Sequence, residues 1–314
     1  MASSKSVVLA ALFANGAIAI LKFIGFLLTG SPSMLSETYH SISDTGNQVF
    51  LLIGLRFSQR SASRKHPFGY GKAQFFYSFL VSVLLFGIAG WESAKHGYHA
   101  LMNPHPPEMT TATLPVVGIT IEAVVINYAV LIGAILFESY AFQQAYRNMR
   151  RQIEANNWSG FREAFRKTSD VTVLTALTED TIALAGAGIA LTGVYLTRVT
   201  QNPVYDAATA LLIGLMLMGF ALALAWENKR LLLGESVPAD QEAQMRERVR
   251  AHPEVVELVD LRTVYFGPDQ VVVTADINFA DGLSTTEIED HIDTIEAELT
   301  QANSDISRVY IEPV

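Results

Sequence analysis

His40 and Asp44 stand four residues apart inside an apolar run, residues 35–55. On a helix that spacing puts both side chains on one face. An imidazole and a carboxylate together suit a divalent transition metal. Within a membrane span, ionisable side chains are costly and mark a site or a pathway. The plainer alternative is a satisfied polar pair that bridges helices. Asn47 lies near the same face and fits a weak ligand, a partner behind the ligands or a helix-packing hydrogen bond. A second grouping, Thr178-Glu179-Asp180-Thr181, falls in another apolar run. Adjacent helical residues point about 100° apart, so Asp180 is expected to face inward, with Glu179 an extra ligand or proton carrier. The plainer reading there is a salt bridge to Lys22. Glu92, Glu122 and Glu138 are expected to be interfacial or packing groups. Asp170 and Asp206, at the mouths of spans, suit cation attraction or helix capping equally.

These residues need a membrane to position them. Half of the 314 residues are hydrophobic, too many for an average soluble domain. Six segments, residues 7–28, 35–55, 73–94, 114–137, 171–196 and 204–226, each approach the roughly 20 apolar residues that a spanning helix needs. Basic residues cluster after every second span: Arg60, Arg64, Lys65 and Lys72, then Arg147, Arg150, Arg151, Arg162, Arg166 and Lys167, then Lys229 and Arg230. Lys and Arg favour the cytoplasmic side, which predicts both termini there. The loop Gly30-Ser31-Pro32-Ser33 is so short that the first two spans must be neighbours. The region 102–113, with Pro104, Pro106 and Pro107, reads as an irregular turn. His66-Pro67-Phe68-Gly69-Tyr70-Gly71-Lys72 reads as a tight turn into the third span. With no cysteine, any metal must be held by nitrogen and oxygen. No cleavable signal peptide is evident at the start.

Charge divides the chain in two. Residues 1–235 hold 17 Lys and Arg against 14 Asp and Glu, a net +3; residues 236–314 hold 5 against 17, a net −12. We expect a transmembrane domain over 1–235 and an acidic cytoplasmic domain over 236–314. An acidic tail argues against nucleic acid as a partner. The tail has its own rhythm. The stretch from Val271 to Phe279 alternates from Val273 on, as a half-buried strand does. Gly267-Pro268-Asp269 reads as the hairpin turn after a first strand, residues 255–266. Ser284 and Glu287 form a capping box, after which Ile288, Ile292, Ile295 and Leu299 share a helical face. Residues 308–312 close as a strand, and an opening helix near 240–251 completes an α-β-β-α-β order. The expected fold is thus a six-span α-helical membrane protein with a C-terminal α/β domain.

Together these residues carry a resemblance. His40-x-x-x-Asp44, the preceding Gly30-Ser31, the loop from His66 to Lys72, Asp180 and the closing Ile311-Glu312-Pro313 resemble the cation diffusion facilitator family of divalent-metal transporters. Ser169-Asp170-Val171-Thr172-Val173, Glu179-Asp180 and Leu232-Leu233-Gly234-Glu235-Ser236-Val237 look like its branch that includes a mitochondrial zinc transporter. The resemblance implies a homodimer in a lipid bilayer, a metallochaperone-like cytoplasmic domain that helps it form, and proton-coupled antiport by alternating access. It places a metal site between spans two and five, held by His40, Asp44 and Asp180. Zinc members carry a His or Asp four residues before the span-five Asp, where this chain has Ala176. Glu179, Asn47 or water must then fill the gap, and an oxygen-richer site discriminates less sharply against Mn²⁺, Fe²⁺ or Co²⁺. The tail has only His252 and His291 and is not expected to hold a strong zinc cluster.

Binding requires neutral imidazole and ionised carboxylate, so metal expels protons and protons expel metal. The cargo is a divalent cation, Zn²⁺ first, with protons as counter-ion and no prosthetic group. Two readings compete: a scaffold with a vestigial site, and an intramembrane metallohydrolase using Glu179 as base. The second lacks a His-Glu-x-x-His helix, and no enzyme is expected. The compact loops suggest a bacterial inner membrane.

Overall fold

The computed structural model describes residues 2–104, 111–113, 120–155, 158–167, 171–268 and 270–314, without side chains for 2–11, 14, 112–113, 120–121, 165–167 and 171–175. The expectations for Pro106, Pro107, Ser169, Asp170 and Asp269 lie outside the described residues, as does the start of the fourth predicted span.

The long helices are α1 (Ala2–Thr29), α2 (Pro32–Ser58), a rod made of α3 (Ala73–Leu84), a π-helical turn (Leu85–Gly90) and α4 (Trp91–Met102), then, past a short hairpin of β1 (Thr111–Thr113) and β2 (Thr120–Glu122), α5 (Ala123–Ala155). The short α6 (Phe161–Lys167) leads to α7 (Val171–Thr200) and α8 (Val204–Leu233). Among the described residues four rods, Ala73–Met102, Ala123–Ala155, Ala176–Thr200 and Val204–Leu233, are long and apolar enough to cross a membrane; α1 adds the apolar stretch Asn15–Thr29. α2 has the length, at 27 residues, but carries the polar face described below. The fourth span begins later than predicted, because residues 120–122 pair as a strand, and it runs on to Ala155 through helix formers and an Arg150–Glu154 pair at i,i+4.

The chain forms two compact units, Met1–Leu52 with Ser78–Ala225, and Ile53–Tyr77 with Trp226–Val314. In the first, α5 packs on α1 and α7, around Met34, Leu131, Ile213 and Leu217. The α3–α4 rod meets α8 backbone to backbone: a Cβ at Gly97 would fall 2.3 Å from Leu211 N, and one at Gly214 2.3 Å from Ala94 N. Small residues give membrane helices this close approach.

In the second unit, α9 (Ala239–Arg250), β3 (Val255–Gly267), β4 (Gln270–Phe279), α10 (Thr285–Ala302) and β5 (Ile306–Pro313) follow the predicted order. β4 is central, antiparallel to β3 and parallel to β5. Its inward face, Val273, Ala275, Ile277 and Phe279, is buried with Ile295 and Leu299 of α10 and Met245 and Val249 of α9. The capping box of Ser284 and Glu287 is present. The loop from His66 to Lys72 does more than turn. Phe68 sits 4.9 Å from the Phe266 ring, Lys72 Nζ lies 4.9 Å over that ring, and a Cβ at Gly71 would fall 2.3 Å from Phe266 O. The loop thus rests on the tip of the β3–β4 hairpin.

Candidate metal centre

α2 turns polar groups inward at positions 37, 40, 44 and 47, one helical face. Glu37, His40 and Asn47 are buried, and the Asp44 side chain keeps about a quarter of its surface exposed, at 26%. His40 Nε2 lies 3.3 Å from Asp44 Oδ2, so the i,i+4 pair forms as its spacing requires. The buried charge from α1 does not go where the plainer reading sent it. Lys22 pairs with Glu37, Nζ to Oε2 at 2.7 Å, rather than with Glu179 or Asp180: the tight turn at Gly30 sets α1 and α2 side by side. Glu37 Oε1 is 4.0 Å from His40 Nδ1, and neither atom has a hydrogen-bond partner.

From α7 come Glu179 and Asp180, both half-buried, with Ala176 one turn before Asp180. The Asn47 amide donates to Glu179 Oε1 and ties α2 to α7. Asp44 is near enough to act electrostatically on both Glu179 and Asp180. Among the described residues no three His, Asp or Glu side chains stand close enough to hold one ion. The geometry therefore joins His40 with Asp44 and Asn47 with Glu179, and does not draw Asp180 into a closed cage with them.

Glu138 on α5 is the residue that sequence reasoning undervalued. It is buried and within electrostatic reach of Lys22, Asp44, His40 and Asp180. The cost of an ionisable group inside a span was signal enough to flag it. At the other ends of the helices, Asp206 accepts from Ser31 Oγ at 2.6 Å, from Ser33 Oγ, and from Ser33 N at 3.3 Å. It caps the start of α2 from α8, which resolves its double expectation toward capping. Phe26, His96, Asn127, Thr197, Arg198 and Asp206 help to line a cavity of about 500 Å³ there.

The helical membrane domain sets an imidazole–carboxylate pair on α2 and two acidic residues on α7, and a small α/β domain follows it. The chain belongs to the cation efflux family: the family's transmembrane domain matches residues 8–233 and its cytoplasmic domain residues 237–313. It is 31% identical over 273 residues to the human mitochondrial proton-coupled zinc antiporter SLC30A9, covering 87% of this chain and 45% of that protein. It is 27% identical to metal tolerance protein C4 of Arabidopsis thaliana, over 88% of this chain and 57% of that one. It is 26% identical to the cation-efflux pump FieF of Escherichia coli, over 81% and 74%. The chain thus spans about half the length of the first two.

Proposed function

We propose that this chain is an integral membrane exporter of divalent transition metal, Zn²⁺ first, that exchanges metal for protons through one site exposed alternately to each side. His40, Asp44 and Asp180 would ligate the cargo, with Glu179 as a further ligand or proton carrier. The observation that carries the reading is the pairing of the buried His40 with the partly exposed Asp44, 3.3 Å apart on α2, with Asp44 acting electrostatically on Glu179 and Asp180 of α7. Drawing α7 toward α2 around an ion is a motion of the kind alternating access needs. The human relative is named as a proton-coupled zinc antiporter, which supports this reading.

The chemistry follows from the ligand types. Carboxylate and imidazole bind metal only when deprotonated, so each arriving ion releases protons and each arriving proton weakens the site. Imidazole makes that exchange near neutral pH. Ala176 withholds one ligand, so Mn²⁺, Fe²⁺ and Co²⁺ are the competing cargo. We take residues 1–235 as the transport domain and residues 236–314 as a cytoplasmic domain that supports a homodimer. The chain's relatives include one named for the mitochondrion and one from E. coli, so the bacterial inner membrane expected from the loops is unsupported.

The test is metal uptake into proteoliposomes under an imposed pH gradient, comparing Zn²⁺, Mn²⁺, Fe²⁺ and Co²⁺ for the intact protein and for Asp180→Ala. Uptake should follow the gradient and vanish in the variant. Flat traces for every metal, from folded and dimeric protein, would move the assignment to a non-transporting scaffold.

A further inference from the structure

A lysine and a glutamate wholly buried in a membrane domain are expensive. Replacing such a pair by apolar residues of similar volume is often neutral or even stabilising, so stability alone is a poor reason for its presence. Lys22 and Glu37 are 1% and 0% exposed. Lys22 engages only one carboxylate oxygen, Oε2. The other, Oε1, has no hydrogen-bond partner and faces His40 Nδ1, which has none either, across 4.0 Å. That gap is about one ångström beyond hydrogen-bond length, within the reach of a small side-chain rotation. On the opposite edge of the same ring, Nε2 is the nitrogen near Asp44. α7 leaves space for this arrangement at Gly186, where a Cβ would fall 2.6 Å from Glu37 Oε1.

We propose that Lys22 and Glu37 form a positioning layer behind the metal site: Glu37 accepts the Nδ1 proton of His40 and so turns the Nε2 lone pair toward the cargo. This rests on the reading of His40 as a ligand. A metal-bound imidazole almost always donates its other N–H to a carboxylate, carbonyl or water, which fixes both the tautomer and the ring orientation. Glu37 is the acceptor on the correct side of the ring. Lys22 has a separate part. By neutralising Glu37 and holding Oε2, it keeps that carboxylate from swinging round to become a ligand itself. The site then offers the metal the imidazole and the carboxylates ahead of it, without an added hard oxygen from behind.

The experiment uses the full chain in lipid nanodiscs with Zn²⁺ as probe. Nitrogen-15 histidine NMR of the unmodified, Zn²⁺-loaded protein should show His40 protonated at Nδ1 and metallated at Nε2, its signal assigned by its loss in His40→Ala. Metallation at Nδ1 would overturn the proposal. This measurement needs no variant of the ion pair to fold. Calorimetric titration supplies the second arm. Lys22→Leu with Glu37→Leu should weaken Zn²⁺ binding about 10–100-fold, the usual cost of losing such a partner. Lys22→Met with Glu37→Gln, which restores a neutral acceptor without the charges, should recover most of it. Unchanged affinity in the leucine pair, or an equal loss in both pairs, would mean that the ion pair does not act through the ring. His40→Ala separates the two ideas. If it binds Zn²⁺ as tightly as the intact protein, His40 is no ligand, and the transport reading fails together with this one. If it loses Zn²⁺ while the leucine pair keeps it, only the positioning layer is lost.

Discussion

α2 and α10 are both helices with one face turned into the protein, and they are built inside out relative to each other. α10 turns Ile295 and Leu299 inward, with Ile288 and Ile292 packed beside them, and leaves all its acidic residues but the partly buried Glu296 exposed. α2 turns Glu37, His40 and Asn47 inward and shows Ile42, Val49 and Leu51 to its surroundings. For α10 the stabilising quantity is apolar area removed from water, which is tolerant of detail. For α2 it is the pairing of buried charge, Glu37 with Lys22 above all, which is not. Damage to the two helices should therefore look different, and each variant below sharpens or breaks that distinction.

The largest effect is expected at the buried ion pair. Lys22→Met alone strands the Glu37 carboxylate in the membrane domain and should cost about 3–5 kcal/mol, whereas Lys22→Leu with Glu37→Leu should come within about 1 kcal/mol of the intact protein or exceed it. In α10, Ile295→Ala should cost about 2–5 kcal/mol through a cavity, and no change at a single neighbour should restore it. Chemical denaturation in detergent, following all four forms, measures the contrast. A Lys22→Met protein as stable as the intact one would mean that water reaches Glu37 and that α2 is not assembled by polar matching.

This contrast also explains what could be read from the residues alone. The His40–Asp44 pair was legible because i,i+4 spacing within one helix fixes it. The alternation of β4 from Val273, the capping box at Ser284 and the inward stripe of α10 were legible because their polar positions go to water, so a period survives in the sequence. Partners between membrane helices leave no such period. Lys22 and Glu37 are related only through the turn at Gly30, and Ser31 and Asp206 across most of the transmembrane domain. Asn47 and Glu179 were each singled out, yet nothing in their spacing joined them. Glu138 has no charged partner on its own helix, so its place in the cluster depends on how α5 packs. The loop at His66 reads as a turn, since its glycines and proline are local signals. Its seat on Phe266 is a long-range contact.

That seat gives a prediction of middle size. A Cβ at Gly71 would meet Phe266 O at 2.3 Å and Gln270 Oε1 at 2.4 Å, and the first of these is backbone that cannot swing aside. Gly71→Ala should therefore lift the loop from the β3–β4 hairpin and cost about 1–3 kcal/mol, in the range of overpacking. Gly188→Ala in α7 is the matched control, because among the described residues no atom beyond its own stretch of helix lies within 4 Å of its added Cβ; there alanine should be neutral or stabilise by up to about 1 kcal/mol. Thermal unfolding orders the two. Faster amide exchange in the hairpin of Gly71→Ala alone would locate the damage. Equal behaviour of the two variants would mean that the loop yields without loss and does not hold the hairpin.

The smallest effect belongs to the start of α10. Ser284 Oγ accepts from Glu287 N, and the Glu287 carboxylate accepts from Ser284 N and Oγ at 2.8 and 2.7 Å. These bonds, the backbone one foremost, lower the pKa of Glu287 below its ordinary value. A carboxyl whose pKa is lower folded than unfolded stabilises the fold above its unfolded pKa, and the contribution is lost as pH falls through the folded one. Protection of the first-turn amides of α10 against exchange, taken relative to their intrinsic rates at each pH, should thus be full at neutral pH and fall through the acidic carboxylate range. Glu287→Gln keeps an acceptor but cannot titrate, so it should flatten that fall. Ser284→Ala removes the cap at every pH and should cost about 1 kcal/mol. If Glu287→Gln left the acid dependence as it was, the titration would belong elsewhere in the acidic tail, and even this exposed helix end would depend on charges beyond its own first turn.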